Sequence, residues 1–333
     1  MSRKGTRKKA SVQKYMMNLM RNVTESRTSM LKHKDIRQGF IEFDLYERGR
    51  RRHIRAMHVK ERVIQRCLCD YALIPVLRRS LVYDNGASLK AKGIHFALFR
   101  LKMMLQRYIR KYGTNGYILL VDFSKYFDNI YHLPVWDIIR NNFDDTEIRL
   151  LCWKFVKAFG TKSLGIGSQV SQILAIAYPN RVDHRIKEYH HNGLSARYMD
   201  DSYVIAPTRE ELEFILSDCL RLWAALGISV SESKTRIESI KHFTFMKVRF
   251  RITERGKVLM LPCKQSFTRM RRKLHKFKKF YDCGDMSMDQ IIASYQSWYG
   301  YQNHFNAYRS LRRMDSYFYN LFNTWPNHGK RRR

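Results

Sequence analysis

Apolar residues recur at helical spacing over most of the chain. This spacing predicts a helix over residues 56–80, with Pro75 as a kink or break, and an amphipathic helix over residues 98–113 that Gly113 ends. Further helical patterns cover residues 134–160, 170–190, 208–226 and the basic, aromatic chain from Ser266 onwards.

Short apolar runs predict strands between these helices. Residues 194–206, LSARYMDDSYVIA, place apolar arms on both sides of Asp200 and Asp201, which is typical of a β-hairpin. A further apolar run predicts a buried strand at residues 117–123. Two more runs predict a second strand pair at residues 243–252 and 257–262, which turns at residues 254–256. Strands interleaved with helices and followed by a helical tail indicate an α+β fold.

The charge points to a polyanionic partner. The 333 residues include 63 Lys and Arg against 29 Asp and Glu, a formal net charge of +34. Neutralised phosphates release condensed counterions, so this excess favours nucleic acid. No apolar run of membrane-spanning length and no signal-peptide pattern occurs, so we expect a cytoplasmic protein without a membrane partner. Of six cysteines only Cys67 and Cys69 lie close together, which disfavours a structural zinc site.

Three carboxylates lie at strand ends. Asp122 ends the predicted buried strand, and Asp200 and Asp201 occupy the hairpin turn. Carboxylates on adjacent strands can hold two Mg²⁺ ions about 3.5–4 Å apart, and Mn²⁺ is a plausible substitute. A lone Asp-Asp pair is usually a solvated turn, so its surroundings carry the interpretation.

These surroundings resemble the reverse transcriptase family. YMDD, Tyr198–Asp201, looks like the catalytic box of that family, and DFSKYFDNI, residues 122–130, looks like its first catalytic motif. Five further segments and the tail resemble family motifs in the family's order, at residues 51–68, 87–98, 165–188, 226–238, 243–250 and 294–313. The resemblance covers roughly residues 40 to 315 and is closest to the compact bacterial and phage types, found in diversity-generating retroelements, retrons and antiphage defence.

The resemblance implies a right-hand polymerase fold. We expect a basic N-terminal arm at residues 1–40, fingers at 41–112, a palm at 113–262 and a basic helical thumb and tail at 263–333. A fingers-like insertion is expected within the palm, around residues 160–175.

The resemblance also implies catalytic roles. Asp122 and Asp200 would bind metal, with Asp201 as a direct or more distant ligand and the carbonyl of Phe123 as a backbone ligand. Lys234 would protonate or attract the pyrophosphate, and the ring of Phe127 would exclude a 2′-hydroxyl. The nucleotide would also contact Arg51, Arg52, Ile166 and Gly167, although Arg51 can equally belong to a solvated basic face.

Template and primer contacts follow the same comparison. They are expected at Ser168, Ser171, Gln172, Tyr198 and Met199, and at the primer-grip residues Phe245, Met246 and Lys247. Gly165 departs from the proline usual in the template motif. Ile166 favours a diversity-generating enzyme, whereas Gly165 fits a defence-type enzyme equally well.

The expected reaction is the extension of a 3′-hydroxyl with dNTPs on a cognate non-coding RNA, which gives a DNA product. A catalytically idle RNA-binding protein on the same fold and an untemplated or protein-primed polymerase stay open. An RNA-templated RNA polymerase is opposed by Phe127. An accessory protein or a homo-oligomer also stays open.

Overall fold

The computed structural model describes residues 8–47 and 50–326. The chain divides into two compact units. The first contains the described residues up to Ala97 together with Leu119–Val204 and Glu210–Arg236, and the second contains Leu98–Ile118, Ile205–Arg209 and the described chain from Ile237. The predicted boundaries of arm, fingers, palm and thumb stay predictions.

Groups of helices and groups of strands are interleaved along the chain, and the last three elements are helices. The predicted α+β class is therefore confirmed. The helices are α1 Ala10–Met17, α2 Leu19–Leu31, α3 Val59–Leu68, α4 Ile74–Ser80, α5 Ile94–Tyr112, α6 Tyr126–Asn129, α7 His132–Asn142, α8 Thr146–Lys157, α9 Gln169–Ala177, α10 Asn180–His184, α11 Arg209–Ala225, α12 Lys264–Asp282, α13 Met288–Gln302 and α14 Tyr308–Phe322. The strands are β1 Phe40–Glu47, β2 Arg50–Met57, β3 Tyr117–Asp122, β4 Ser195–Tyr198, β5 Asp201–Ala206, β6 Arg236–Ser239, β7 His242–Phe245, β8 Val248–Ile252 and β9 Val258–Pro262.

The strands form three sheets. Strands β1 and β2 make an antiparallel hairpin, and β7, β8 and β9 make an antiparallel three-stranded sheet. The central sheet has the order β4-β5-β3-β6. Within it, Leu119, Leu120 and Val121 of β3 are buried, which confirms the predicted buried strand.

The helix predicted over residues 56–80 is interrupted. A π-helical turn at Cys69–Leu73 joins α3 to α4, and Pro75 follows directly in the first turn of α4. Proline lacks an amide proton and its ring clashes with the carbonyl four residues earlier, so a wider turn before it relieves the clash. The predicted break at Pro75 is therefore a change of helical winding.

Two longer helix predictions are wrong. Residues 134–160 form α7 and α8, because the side chain of Asp145 accepts a hydrogen bond from the amide of Ile148 at 3.0 Å and starts a new helix. Residues 170–190 are interrupted at Pro179, which precedes α10. In both places a local cap or proline outweighs a continuous apolar periodicity.

The strand predicted at residues 243–252 is also wrong as a single strand. It is two strands, because Phe245 of β7 faces Val248 of β8 across a two-residue turn. Met246 and Lys247 form this turn with φ of 47° and 63°. Strand β6 was not predicted, because its four residues carry no clear alternation.

The C-terminal helices form their own core. Buried residues from α12, α13 and α14 pack together, namely Met270, Leu274, Ile291, Tyr295, Met314, Phe318 and Phe322. The capping box of Ser287 and Gln290 starts α13. Of the helices in the described part of the chain, none is long and apolar enough to span a membrane.

Candidate active site

Backbone hydrogen bonds bring Asp122 and Asp200 together. The amide of Phe123, directly after β3, donates to the carbonyl of Asp200 at 3.2 Å. On the other side, the amide of Ser231 donates to the carbonyl of Asp122 at 2.8 Å. The end of β3 is thereby held between the β4–β5 hairpin and the loop that carries Lys234.

Lys234 neutralises Asp122 directly. Its Nζ lies 2.5 Å from Oδ1 of Asp122, and the lysine side chain is half-exposed while the carboxylate is largely buried. The two residues are 112 positions apart in the chain, so only the fold creates the pair. The structure brings Lys234 to Asp122, whereas its predicted role in protonating or attracting the pyrophosphate stays a prediction.

The hairpin turn carries both other aspartates. Tyr198 pairs with Asp201, which leaves Met199 and Asp200 as the two turn residues and confirms the predicted hairpin. Met199 adopts φ of 56°. A non-glycine residue in this left-handed region costs free energy, so surrounding contacts must hold the turn.

Arg197 supplies such contacts, and the sequence analysis missed it. The side chain is 3% exposed. Its guanidinium donates to the carbonyl of Met199 at 3.1 Å and to the carbonyl of Ile176 at 2.8 Å. It also forms a two-pronged ion pair with Asp183, with Nε–Oδ1 at 2.9 Å and Nη2–Oδ2 at 2.6 Å. The available signal was an arginine inside a short strand, where a charged side chain needs a partner.

Negative charge is concentrated at the three aspartates. Burial raises the pKa of Asp201 to about 7, and the negative charges of Asp200 and Asp122 act in the same direction, while Lys234 partly opposes them. Burial and the two neighbouring negative charges each penalise the ionised form of the Asp201 carboxyl. A cation at this place would relieve the repulsion.

The donor chemistry of this cluster fits a divalent cation, because carboxylate oxygens are the hard ligands that Mg²⁺ prefers. The arrangement is not a ready-made site. Among the described residues, no group of three or more His, Cys, Asp or Glu side chains could hold a metal ion as they stand. Asp122, Asp200 and Asp201 would have to turn towards the ion, and Asp122 would loosen its contact with Lys234.

Phe127 lies on the short helix α6 that follows Asp122. Its carbonyl accepts from the amide of Leu164 at 3.0 Å, and its half-buried ring meets the ring of Tyr126 edge to face at 5.7 Å. The hydroxyl of the buried Tyr126 donates to the carbonyl of Ala175 at 2.6 Å. These contacts fix α6, and the gating role of Phe127 stays a prediction.

The template motif begins with an exposed loop and a buried helix cap. Gly167 has φ of 124°, and a Cβ on it would lie 2.9 Å from the carbonyl oxygen of Arg55, so only glycine fits there. Ser168 is buried, caps α9 by accepting from the amide of Ser171, and donates to Oε1 of Gln65 at 3.1 Å. Gln65 was not anticipated; it also accepts from the amide of Gln169 at 2.9 Å.

This burial changes what the motif can contact directly. Ser168 and Ser171 are buried, so their side chains support the loop rather than form a surface. Of the predicted contact residues in this motif, Ile166 and Gln172 have side chains exposed to solvent.

The fingers arginines lie on β2. The guanidinium of Arg51 is 2.7 Å from Oδ2 of Asp44 on β1 and is well exposed. Its predicted triphosphate contact would therefore compete with this ion pair. Arg52 lies in β2, and its side chain is outside the described part of the structure.

The predicted primer-grip residues belong to the second unit. Phe245 is buried in the sheet, Met246 is half-buried and Lys247 is exposed. Of the three, Met246 and Lys247 are therefore the side chains that form the tip of the β7–β8 hairpin.

Aspartates at the end of a strand and in the adjacent hairpin turn are the kind of donors that a two-metal nucleotidyl-transfer site would need. The family model described as reverse transcriptase (RNA-dependent DNA polymerase) matches residues 47–265, about two thirds of the chain. The chain belongs to this family. The finer assignment to a compact bacterial or phage type has no support beyond the sequence motifs. A comparison with curated protein sequences gives no match.

Solved structures share the fold at low identity. A telomerase from Candida albicans, in complex with a fragment of telomeric RNA, is 13% identical with a TM-score of 0.52 and covers 85% of this chain and 55% of its own. The apo telomerase from Candida tropicalis is 12% identical with a TM-score of 0.51, covering 91% and 64%. The RNA-dependent RNA polymerase of a human picobirnavirus is 11% identical with a TM-score of 0.53, covering 83% and 53%.

These likenesses confirm the expected right-hand polymerase fold. The chain spans between 53% and 64% of the length of these three chains, so what the whole proteins do does not pass to it directly.

Proposed function

We propose that this protein is an RNA-directed DNA polymerase that extends a 3′-hydroxyl with dNTPs. The observation that carries the proposal is the meeting of Asp122, Asp200 and Asp201 where β3 ends beside the β4–β5 turn. The raised pKa of Asp201 is consistent with it, because burial and, after it, the charges of Asp200 and Asp122 penalise the ionised carboxylate in a way that a bound cation would relieve. Family membership supports the same reaction class.

The side chains divide the chemical tasks. Mg²⁺, when bound by the aspartates, would supply the charge that activates the attacking hydroxyl and stabilises the leaving pyrophosphate. Lys234 would move from Asp122 towards the phosphates once a cation replaces its ammonium group. Arg197 would keep the turn of Met199 and Asp200 in one conformation, so that the carboxylates start close to their working geometry.

An RNA template is the proposed partner. The net charge of +34 favours a polyanion, and one structural neighbour was solved with an RNA fragment. We propose a structured non-coding RNA as the cognate template, within antiphage defence or a diversity-generating retroelement. Ile166, exposed in the template loop, supports loose positioning of the incoming nucleotide, which would lower fidelity.

The proposal is tested by the incorporation of labelled dNTPs into a DNA or RNA primer annealed to an RNA template, with sequencing of the product. We expect product complementary to the template that depends on Mg²⁺ or Mn²⁺. Untemplated product would favour the untemplated or protein-primed alternative. RNA binding without incorporation on the cognate or a generic template would favour the idle RNA-binding protein.

Replacing Phe127 tests the sugar gate. We expect Phe127→Ala to lower the ratio of kcat/KM for dNTPs over rNTPs by about tenfold or more, because a missing ring leaves room for the 2′-hydroxyl. The ring is only half-buried, so the variant should fold, which its thermal unfolding curve checks. Phe127→Tyr keeps a ring and should keep the ratio. An unchanged ratio in the alanine variant would remove Phe127 from the site.

A further inference from the structure

Helix α14 has an apolar inner face and an aromatic, basic outer face. Met314, Phe318 and Phe322 lie in the core of the three C-terminal helices, and Leu311 on the same face is buried. At 100° per residue, the side chains of Tyr308, Arg312 and Tyr319 lie within about 40° of one another, on an exposed flank of the helix about a quarter turn from this core. This outer face of α14, completed by Trp325, is called the aromatic stripe below.

Trp325 completes the stripe from beyond the helix. The chain turns at Asn323, which has φ of 50°, and its amide donates to the carbonyl of Tyr319 at 2.8 Å. This turn returns the indole of Trp325 to the ring of Tyr319, with 4.7 Å between the ring centroids and an angle of 23° between the planes. The two rings form a flat, stacked pair at the surface.

The rings of the stripe are exposed to solvent. Tyr308 is 59% exposed, Tyr319 38% and Trp325 58%. Large aromatic side chains normally bury most of their surface, so a group of exposed ones marks a surface that meets another molecule. Tyr319 and Trp325 are already stacked before a ligand binds, so binding costs less side-chain conformational entropy.

The charges around the rings select the kind of ligand. The guanidinium of Arg312 lies over the ring of Tyr308 at 5.7 Å and donates to its hydroxyl at 3.3 Å. Arg309 and Arg313 are exposed beside it. Asp315, the only acidic residue of α14, is half-buried, and its carboxylate accepts from the hydroxyl of the buried Tyr295 at 2.8 Å. Aromatic faces beside three exposed arginines match bases and phosphates.

We propose that the aromatic stripe binds a single-stranded segment of RNA or DNA by base stacking. Bases stack on the Tyr319–Trp325 pair and on Tyr308, and phosphates pair with Arg309, Arg312 and Arg313. Tyr308 and Tyr319 are eleven residues apart, about 16 Å along the helix, which suits a few nucleotides. Duplex nucleic acid hides its base faces and cannot stack in this way. This activity is separate from DNA synthesis.

The test measures the affinity of the full chain for fluorescent oligouridylate and oligothymidylate of about ten nucleotides. No dNTP is present, so the outcome does not depend on polymerase activity. We expect Trp325→Ala to weaken binding about tenfold, while Trp325→Phe, which keeps a ring, stays close to the wild type. Tighter binding of oligouridylate would indicate that the stripe binds RNA, and equal affinities would indicate that it binds single-stranded RNA and DNA alike.

Salt separates stacking from the general basic charge. The tenfold loss in Trp325→Ala should persist as salt rises, because stacking is not screened, whereas Arg312→Gln should lower the slope of log affinity against log salt by about 0.7. Tyr71→Ala, which removes an 83% exposed ring from the π-helical turn, is the matched control and should bind normally.

Thermal unfolding checks that the variants fold. The inference is overturned if folded Trp325→Ala binds the single strands as the wild type does, or if it loses blunt duplex binding to the same extent. A difference in affinity between Trp325→Ala and the wild type that disappears as salt rises would likewise assign the effect to charge rather than to stacking.

Discussion

Asp122→Asn should abolish measurable DNA synthesis while leaving the fold and nucleic-acid binding in place. The change removes one negative charge from a cluster whose mutual repulsion helps to raise the pKa of Asp201 to about 7. It thereby removes the attraction for a divalent cation, which contributes several kcal/mol to such reactions, or about a thousandfold in rate. The measurement is kcat for dNTP incorporation on a preannealed primer and RNA template.

The fold should tolerate this substitution. Lys234, which loses its partner, is half-exposed and remains solvated, so the pair contributes at most about 1 kcal/mol. Asp128→Asn, the same change at an exposed position of α6, is the matched control and should keep full activity. Activity of Asp122→Asn within tenfold of the wild type would refute the assigned site.

The second large effect concerns Arg197. Arg197→Met should destabilise the protein by about 3–5 kcal/mol, because it leaves the buried carboxylate of Asp183 without a cation. Two carbonyls, of Ile176 and Met199, also lose their donor. The measurement is the free energy of unfolding from denaturant titration.

A double variant separates stability from positioning. Arg197→Met combined with Asp183→Leu removes both buried charges, so much of the lost stability should return. DNA synthesis should not return, because nothing then holds the carbonyl of Met199 and the turn at Asp200. Full activity in the double variant would show that Arg197 acts only through stability.

Arg185→Met is the matched control for this pair of experiments. Arg185 lies 2.8 Å from Asp218, but Asp218 also has Arg221 at 3.0 Å and His190 at 2.9 Å. Its loss therefore leaves no unpaired carboxylate and should cost little. If Arg185→Met lowered the free energy of unfolding as much as Arg197→Met does, the effect of Arg197→Met would not be specific to its buried ion pair.

Local patterns predicted much of the fold because their signals are local. The apolar arms around Asp200 and Asp201 predicted a hairpin, and the run before Asp122 predicted a buried strand. Predictions failed where one residue interrupts a long periodicity, as Asp145 does by capping α8. They also failed at Met246 and Lys247, because non-glycine residues with positive φ give no turn signal.

The sequence by itself determined the family, the α+β class and the aspartates of the candidate site. These features could be predicted because the residues within each motif, and within each strand pattern, are neighbours along the chain. Only the tertiary structure decided which polar groups, distant from one another along the chain, form pairs. Lys234 meets Asp122, Asp183 meets Arg197 and Gln65 meets Ser168. Such pairs depend on where buried polar groups find partners after the chain has folded, and no spacing along the sequence encodes that choice.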